Sequence, residues 1–418
     1  MERLKTASKG LYLGPLRLLA AEIYETLTSA GIYTNLFTGQ ERREIPFATH
    51  SAATVEMAPT SEDFDVVVID EIQMISDPYR GFAWTRALMG IRCKEIHVCC
   101  GLEAKDMVRK IADFCGDDLE VVTYERFSAL VLQDKSLATS SKALGSYKNV
   151  SPCWSPQWTV DFFSRFLGRT QVQPGDCIVA FSRNDIFAIK REIESGTKYK
   201  CCVIYGSLPP QTRTDQARRF NDPDSGYDIL VASDAIGMGL NLNIRRIIFN
   251  SLYKYRGDNI VRLDHSSVKQ ISGRAGRRNS PFPEGEVTCR DPEDMEYLKR
   301  CMSTEIAPIR KAGLLPTAEH IEVFSEALKK YKLGDDYDNL HKILIQFSEM
   351  ATLKGDFFLC RQTDMQGVAK MLSDVDLPLS DKYTLCMAPA KFDCSRAMTT
   401  LKQFASKYSL GQVSGVTR

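Results

Sequence analysis

The sequence has no long apolar run and no marked excess of charge of either sign. None of its runs approaches the roughly 18 apolar residues that a membrane-spanning helix needs, so we expect no membrane partner. Its 54 lysine and arginine residues nearly balance 53 aspartate and glutamate residues, which leaves a net charge of +1. This balance excludes a histone-like polycation. It does not exclude a nucleic-acid partner, because a neutral protein can carry a local basic groove.

Histidine is scarce, and the cysteines lack the spacing of metal ligands. The five histidines include no H-E-x-x-H pattern, and the 13 cysteines include no C-x-x-C pattern. Two adjacent pairs, Cys99-Cys100 and Cys201-Cys202, lie inside apolar runs. We therefore predict that most thiols are reduced core residues of an intracellular protein with no structural metal. Metal binding or disulfide formation is the alternative.

The sequence does contain two successive sets of apolar runs, separated by helical patterns. The first set of predicted strands covers residues 10–14, 64–69, 96–100 and 121–122. The second set covers residues 177–181, 201–205, 229–232 and 246–250. Such runs are typical of parallel strands that helices cover on both faces. We predict an α/β fold with two domains of this kind, followed from about residue 303 by a mostly helical region.

The sharpest motif of the first domain is an acidic pair. Asp70 and Glu71 follow the run 64–69, at the carboxyl end of a predicted strand, where open α/β sheets bind ligands. One carboxylate there can hold Mg²⁺ through water, and the next can accept a proton from an attacking water. Both residues could instead cap a helix, because the helix dipole favours negative charge at its amino end.

The second domain contains two glycine-bearing motifs. Residues 231–241 (VASDAIGMGLN) follow a predicted strand, and their backbone N–H groups could contact phosphates; a plain strand-to-helix turn is the alternative. Residues 270–278 (QISGRAGRR) have two glycines that allow a close backbone approach. They also place Arg274 and Arg277 on one predicted helical face, and arginine stabilises charge on a transferring phosphoryl group. A solvated basic face is the alternative for these arginines.

In this order, residues 70–73 (DEIQ), 233–241 and 270–277 resemble motifs II, V and VI of superfamily 2 helicases. Residues 14–22 (GPLRLLAAE) and 205–210 (YGSLPP) are similar to the mitochondrial degradosome RNA helicases, above all those of plants, and the likeness runs from about residue 10 to about 410. The resemblance implies two tandem RecA-like, P-loop-type domains that use ATP and Mg²⁺. It also implies unwinding of RNA, and to some extent DNA, in RNA turnover in the mitochondrial matrix, beside an exoribonuclease partner.

The resemblance also implies a role for each matching residue. Asp70 would position Mg²⁺, Glu71 would activate the attacking water, and Arg277 would be the arginine finger. The residues that would reach the nucleotide from the second domain, together with Arg277, are Gly237, Gly239, Gln270 and Arg274. The residues that would touch the nucleic-acid backbone are Pro15, Leu16, Arg17, Thr38, Gly39, Ser182, Arg183 and Ser233. Contacts of that kind give little sequence preference.

The sequence departs from this family in the phosphate-binding P-loop. The family carries G-x-x-x-x-G-K-[ST] shortly before the counterpart of Pro15, whereas no Gly-Lys dipeptide occurs here. We therefore expect a first RecA-like domain, residues 1–126, that is incomplete and lacks the P-loop strand. Residues 127–173 are predicted to be a linker with an insertion at 151–171, and residues 174–302 the second domain. Residues 303–418 are predicted to be a helical accessory region that is truncated relative to the family.

Two functions remain open from the sequence. The first is an ATP-dependent RNA helicase, and the second is a non-catalytic module that binds RNA or a protein partner, which the missing P-loop favours. A dinucleotide-dependent enzyme is excluded, because no G-x-G-x-x-G follows an early strand. The mitochondrial location is an expectation from the resemblance alone, because residues 1–10 contain no targeting segment.

Overall fold

The chain forms two compact α/β units in the computed structural model. The structure describes residues 1–124, 129–137, 172–237, 241–256, 259–277, 280–334, 336–353, 355–388 and 394–412. The first unit combines Met1–Leu119 with Pro308–Arg418, and the second is Glu120–Ala307. Each unit contains its own sheet, as the two sets of apolar runs predict, and each sheet has six strands rather than the four runs of the pattern.

The first unit is built on a sheet with helices on its faces. Its strands are β1 (Gly10–Gly14), β2 (Thr34–Phe37), β3 (Arg42–Arg43), β4 (His50–Thr54), β5 (Asp63–Ile69) and β6 (Arg92–Val98). Its first four α-helices are α1 (Glu2–Lys5), α2 (Arg17–Ser29), α3 (Gly81–Gly90) and α4 (Lys105–Cys115). The strand order is β3-β2-β4-β1-β5-β6, and only the β2–β3 pair is antiparallel.

The middle of this sheet is apolar on both faces. All five residues of β1 are buried, and so are the last four of β5, because helices cover the sheet on both sides. The parallel register pairs Tyr12 with Val68 and Leu13 with Ile69. The carboxyl ends of β1 and β5 therefore meet at one edge, next to the residues that follow each strand.

The second unit repeats this plan. Its strands are β7 (Leu130–Leu132), β8 (Asp176–Val179), β9 (Lys200–Ile204), β10 (Tyr227–Ala232), β11 (Arg246–Phe249), β12 (Tyr253–Arg256), β13 (Asn259–Arg262) and β14 (Gly285–Cys289). Its helices are α5 (Arg183–Gly196), α6 (Pro210–Asn221), α7 (His265–Ser272) and α8 (Pro292–Ser303). The parallel sheet has the order β7-β14-β11-β8-β10-β9, and β12 and β13 form a separate antiparallel pair.

The last hundred or so residues are mostly helical, as predicted, and belong to the first unit. Two short strands, β15 (Ala312–Leu314) and β16 (Phe357–Leu359), accompany the helices α9 (Ala318–Tyr331), α10 (Leu340–Met350), α11 (Thr363–Met371), α12 (Leu379–Cys386) and α13 (Ser395–Ser409). Ala312 is buried in the same apolar cluster as Trp84, and Lys110 pairs with Asp356 at 2.5 Å. In the described ranges, no helix has both the length and the apolar character needed to cross a membrane.

Two details of the strand prediction are wrong. Val121 and Val122 lie in no strand and are 42% and 59% exposed. They follow Gly116, which ends α4 with a left-handed φ of 77°. Cys99 and Cys100 lie beyond the end of β6 and are exposed rather than part of the core. In both places the apolar pattern was present, but the residues lie in no strand and are exposed.

Most of the described cysteines are core residues, as predicted. All twelve in the described residues are free, and seven of them are buried. Burial raises the pKa of the Cys201 thiol to about 12 and that of the Cys202 thiol to about 11. These thiols are therefore neutral and poorly reactive near neutral pH.

These raised pKa values predict a loss of stability in alkali. A thiol in an unfolded chain titrates near about 8.5, so the stabilisation from a raised folded-state pKa is complete below that pH and is lost as the pH rises towards 12. We expect the free energy of unfolding in urea to fall between about pH 9 and 11, with a shallower slope for Cys201→Ala. Cys394→Ala, at an exposed thiol, is the control that keeps the wild-type slope. Equal slopes for Cys201→Ala and wild type would refute the assignment of this alkaline loss of stability to the Cys201 thiol.

Candidate functional site

The acidic pair lies at the carboxyl end of β5, between β1 and β6. Glu71 has a left-handed backbone (φ 52°, ψ 48°), which is uncommon for a residue other than glycine, and it opens a 3₁₀ turn over Ile72–Ser76. The turn is held by the Ile72 N–H, which donates to the Cys99 carbonyl at 3.0 Å. Strained backbone of this kind is concentrated at functional sites.

Two donors fix the Asp70 carboxylate. The Tyr12 hydroxyl donates to Asp70 Oδ2 at 2.9 Å, and the Glu71 N–H donates to Asp70 Oδ1 at 3.0 Å. Burial and the Asp70 charge both raise the Tyr12 pKa, so that hydroxyl keeps its proton and remains a donor. No sequence motif points to Tyr12. The β1–β5 register could have revealed it, because Tyr12 is paired with Val68, and Asp70, two residues on, shares that face of the sheet.

Glu71 has a partner of a different kind. Its carboxylate accepts a hydrogen bond from the Gln73 side-chain amide. Within the described residues the Glu71 side chain makes no capping hydrogen bond to the 3₁₀ turn that follows it. The helix-capping alternative therefore does not describe this side chain, and its carboxylate is oriented by a neighbouring amide.

Asp70 has the chemistry of a Mg²⁺ ligand that acts through water. Each of its oxygens accepts a hydrogen bond, and each retains a second lone pair. Mg²⁺ prefers oxygen ligands, keeps several waters and is usually bound by one or two carboxylates together with substrate phosphates. The part of the chain that the structure describes contains no cluster of three or more His, Cys, Asp or Glu side chains that could hold a metal. The Asp70 carboxylate oxygens therefore suit a magnesium ion that is bound together with a nucleotide.

In the second unit, three predicted nucleotide residues lie together. Arg274 donates from Nε to the Gly237 carbonyl at 2.9 Å, and its Nη2 donates to the same oxygen. A Cβ built on Gly237 would lie 3.5 Å from Ile271 and 4.0 Å from Gln270. Helix α7, which contains Gln270, begins at a cap in which Asp264 Oδ1 accepts from the Ser267 N–H at 2.7 Å. The loop after β10 and the end of α7 are thus joined through Arg274.

The expectation of one helical face for both arginines is wrong. Helix α7 ends at Ser272, so Arg274 and Arg277 lie beyond it, and Arg277 is exposed. The chain turns at Gly276, where φ is 72° and an added Cβ would lie 2.3 Å from the Gly285 nitrogen. The close approach that the glycine spacing predicts is therefore an approach to β14. The predicted Gly239 lies outside the described residues.

The predicted nucleic-acid residues of the first unit occupy two turns. Pro15 is buried directly after β1, and Arg17 is exposed at the start of α2. The Pro15 carbonyl accepts from Arg80 Nη2 at 2.7 Å, and Leu16 occupies the N-cap position of α2 without a side-chain cap. After β2, the buried Thr38 accepts at Oγ1 from the Glu41 N–H at 3.0 Å, and Gly39 is exposed at the tip of that turn.

The predicted nucleic-acid residues of the second unit follow neighbouring strands. Ser182 and Arg183 come after β8, and Ser233 comes directly after β10, which pairs with β8. Ser182 Oγ accepts from the Asp185 N–H at 3.1 Å, and Ser233 Oγ accepts from the Ala235 N–H at 3.1 Å. Each hydroxyl hydrogen can still donate, which is what a phosphate oxygen requires.

Arg213 is a second side chain to which no sequence motif points. It is buried on α6, and its Nη2 lies 3.3 Å from the Tyr205 carbonyl, 2.7 Å from that of Gly206 and 3.4 Å from that of Leu208. These contacts fix the loop that follows β9. The one signal in the sequence was that Arg213 comes three residues after a pair of prolines at the start of a helix. This pattern is not specific.

Three family profiles match the chain in order. The DEXQ-box helicase domain of Suv3 matches residues 1–124, the helicase conserved C-terminal domain matches residues 158–279, and Suv3 C-terminal domain 1 matches residues 367–409. The first two matches contain the acidic pair and the Gly237–Gln270–Arg274 cluster, respectively.

Curated relatives match almost the whole chain. The mitochondrial DExH-box ATP-dependent RNA helicase DExH18 of Arabidopsis thaliana is 45% identical over 98% of the chain. The mitochondrial ATP-dependent RNA helicase SUV3L of Oryza sativa subsp. japonica is 44% identical over 98%, and human mitochondrial SUPV3L1 is 41% identical over 97%. The matches cover 48%, 51% and 48% of those three proteins, so the chain spans about half the length of each of them.

Solved helicase structures share the fold. A crystal structure of the Escherichia coli DEAH/RHA helicase HrpB superposes with a TM-score of 0.56 at 14% identity, over 98% of this chain and 55% of that one. A second, of the E. coli DExH-box NTPase HrpB, gives a TM-score of 0.53 at 15% identity, over 98% and 54%. These similarities support the two RecA-like sheets that the resemblance implies.

Proposed function

Because the chain belongs to the Suv3 family of helicases, we propose that it forms the ATP-driven motor of a mitochondrial RNA helicase that acts in RNA turnover. The observation that carries the proposal is the arrangement of Asp70 and Glu71 at the carboxyl end of β5. Asp70 is fixed by Tyr12, and Glu71 is oriented by Gln73. Two carboxylates held in this way suit two tasks in phosphoryl transfer, the binding of a hydrated cation and the removal of a proton from water.

In the first unit, Asp70 would hold Mg²⁺ through water, and Glu71 would accept the proton of the attacking water. When bound with ATP, Mg²⁺ would neutralise charge on the phosphate oxygens. The Gln73 amide keeps Glu71 in one orientation, which matters because a general base must lie within hydrogen-bond reach of its proton.

In the second unit, Gln270 and Arg277 would contact the nucleotide. Arg274 already binds the Gly237 carbonyl, so its first task is to hold the loop after β10 against the end of α7. Arg277 is exposed and lies beyond the helix, and this position suits an arginine finger that stabilises charge on the transferring phosphoryl group.

The nucleic-acid partner in this proposal is RNA, with DNA as a weaker ligand. Ser182 and Ser233 would donate hydroxyl hydrogens to phosphates, and Arg17 and Arg183 would supply exposed positive charge. Thr38 and Gly39, in the turn after β2, would contact the RNA backbone. None of these groups reads a base, so binding would depend on the backbone and on salt. A mitochondrial exoribonuclease that degrades the unwound strand would be the protein partner.

A second candidate function is binding of RNA or a protein partner without ATP hydrolysis. It is favoured by one observation, the absence of any Gly-Lys dipeptide in the sequence. The P-loop is the main anchor of the triphosphate in this fold. We therefore expect the 418-residue chain to bind ATP weakly and to hydrolyse it poorly. RNA-stimulated ATP hydrolysis by this chain, abolished by Glu71→Gln, would overturn that expectation.

RNA binding by the same chain tests the proposed function. We expect a labelled single-stranded RNA to bind with little sequence preference and with an affinity that falls steeply with salt. Arg17→Ala and Arg183→Ala should each reduce the slope of log affinity against log salt by about 0.7, the value for one phosphate contact on a single strand. Arg109→Ala, at an exposed arginine of α4, is the matched control. Absence of RNA binding by the wild-type chain would refute the proposal.

A further inference from the structure

One arginine contacts both the nucleic-acid turn and the surroundings of the acidic pair. Arg80 lies directly before α3, with its Nη2 2.7 Å from the Pro15 carbonyl. Its Nε donates to Glu56 Oε1 at 2.7 Å, and its guanidinium carbon lies 5.3 Å from the centre of the Trp84 ring. The side chain is 38% exposed, so it is neither a core residue nor a freely solvated one.

Trp84 continues the contact towards Asp70. It is fully buried on α3, and its Nε1 donates to the Asp70 main-chain carbonyl at 3.0 Å. The Pro15 carbonyl, the Arg80 guanidinium, the Trp84 indole and the Asp70 carbonyl therefore form one chain of direct contacts. This series of contacts runs from the turn after β1 to the turn after β5. The ends of these two neighbouring strands carry the proposed RNA and nucleotide residues.

The chemistry of the guanidinium suits this position. Arginine can bind a carbonyl and a carboxylate with different nitrogens while its flat face stacks on an aromatic ring. Lysine has a point charge and cannot satisfy the three contacts in this geometry. Glu56 orients the fork, because the contact between a guanidinium and a carboxylate is directional and charge-assisted.

The backbone beneath Arg80 is fixed from two sides. Asp77 Oδ1 accepts from the Tyr79 N–H at 2.9 Å and from the Arg80 N–H at 2.7 Å. The C-terminal segment contributes the Arg361 N–H, which donates to the Pro78 carbonyl at 2.7 Å. A displacement of the Pro15 turn must therefore be taken up by the Arg80 side chain rather than by a shift of its backbone.

From these contacts we propose that Arg80 is a positioning residue that couples RNA binding at the turn Pro15–Arg17 to the setting of Asp70. The proposal rests on the proposed function, because it takes that turn as an RNA contact and Asp70 as a nucleotide residue. RNA bound at the turn would shift the Pro15 carbonyl, Arg80 would follow it, and the stacked Trp84 would transmit the change to the Asp70 main chain.

Trp84 supplies a spectroscopic readout. The chain has three tryptophans, so Trp154→Phe with Trp158→Phe leaves Trp84 as the single reporter. We expect saturating single-stranded RNA to change the emission of Trp84 in this background. Arg80→Lys should weaken RNA binding by about two- to thirty-fold, the range found for residues that carry coupling, and should abolish the emission change even when RNA is saturating.

Two further variants keep the test decisive. Arg86→Lys is the matched control. Arg86 lies on α3, close to Arg80, and donates to the Glu56 main-chain carbonyl at 2.7 Å, but it contacts neither Pro15 nor Trp84 in the described contacts. It should retain the RNA affinity and the emission change. If Arg80→Lys fails to fold, Glu56→Gln provides the test, because it removes the carboxylate that orients Arg80. This variant should reduce both the RNA affinity and the change in Trp84 emission.

The outcomes separate this inference from the proposed function. If the single-tryptophan protein does not bind RNA, both fail. If it binds RNA but Trp84 emission does not change, or if Arg80→Lys leaves affinity and emission unaltered, the coupling role of Arg80 is refuted while the proposed function stands.

Discussion

Replacing Arg277 by alanine is expected to lower ATP turnover about 10³-fold, the effect of removing an arginine finger. The measurement uses a P-loop chimera, in which a strand–loop–helix segment of the family carrying G-x-x-x-x-G-K-[ST] is joined ahead of Met1. The reason lies in the position of the side chain: Arg277 is exposed and follows the end of α7, whereas Arg274 is bound to the Gly237 carbonyl.

The control for this experiment is another exposed arginine of the second unit. Arg300→Ala removes a side chain on α8 that pairs with Glu296 one helical turn away, and it should leave turnover unchanged. Arg277→Lys keeps the charge but loses the planar fork, so it should rescue only part of the activity. A loss of only a few-fold on Arg277→Ala would show that Arg277 is structural.

Replacing Asp176 by asparagine is expected to destabilise the second unit by about 3–5 kcal/mol, the cost of breaking a buried ion pair. Asp176 is fully buried at the start of β8, near the middle of the sheet. Its carboxylate accepts from Arg246 Nη2 at 2.6 Å and from Arg245 Nη2 at 2.9 Å. Neutralising it leaves two guanidinium groups that have lost their shared counter-charge in a poorly hydrated site.

The effect can be read from hydrogen exchange of the β8 and β10 amides as a function of urea, which reports this unit alone. Asp374→Asn is the matched control, because it breaks an exposed pair with Lys402 in the other unit and should leave these amides unaffected. Similar protection in wild type and Asp176→Asn would show that the ion pairs of Asp176 with Arg245 and Arg246 contribute little to the stability of this unit.

The sequence predicted the features that depend on local pattern. The run 64–69 became β5, and the acidic pair lies where open parallel sheets bind ligands. The mostly helical region predicted from about residue 303 contains the helices α9 to α13. Apolar period and length are properties of a short segment, and a single sequence displays them fully.

The contacts that orient the site could not be predicted in the same way. Tyr12 reaches Asp70 because β1 pairs with β5, and Arg80 reaches Pro15 because α3 packs against β5, the strand next to β1. These contacts depend on strand order and on helix placement, which no local pattern encodes. The prediction that Arg274 and Arg277 share one helical face failed for a related reason. The chain must turn at Gly276 to approach Gly285, and that contact overrides the helical spacing.

The measurement that tests the central claim most directly is ATP hydrolysis by the P-loop chimera, with and without single-stranded RNA. We expect RNA to stimulate hydrolysis, and Glu71→Gln to abolish it while leaving RNA affinity unchanged, because Glu71 would act on the attacking water and not on the nucleic acid. Hydrolysis that RNA does not stimulate, or that survives Glu71→Gln, would contradict the assignment of these units as the motor of an RNA helicase.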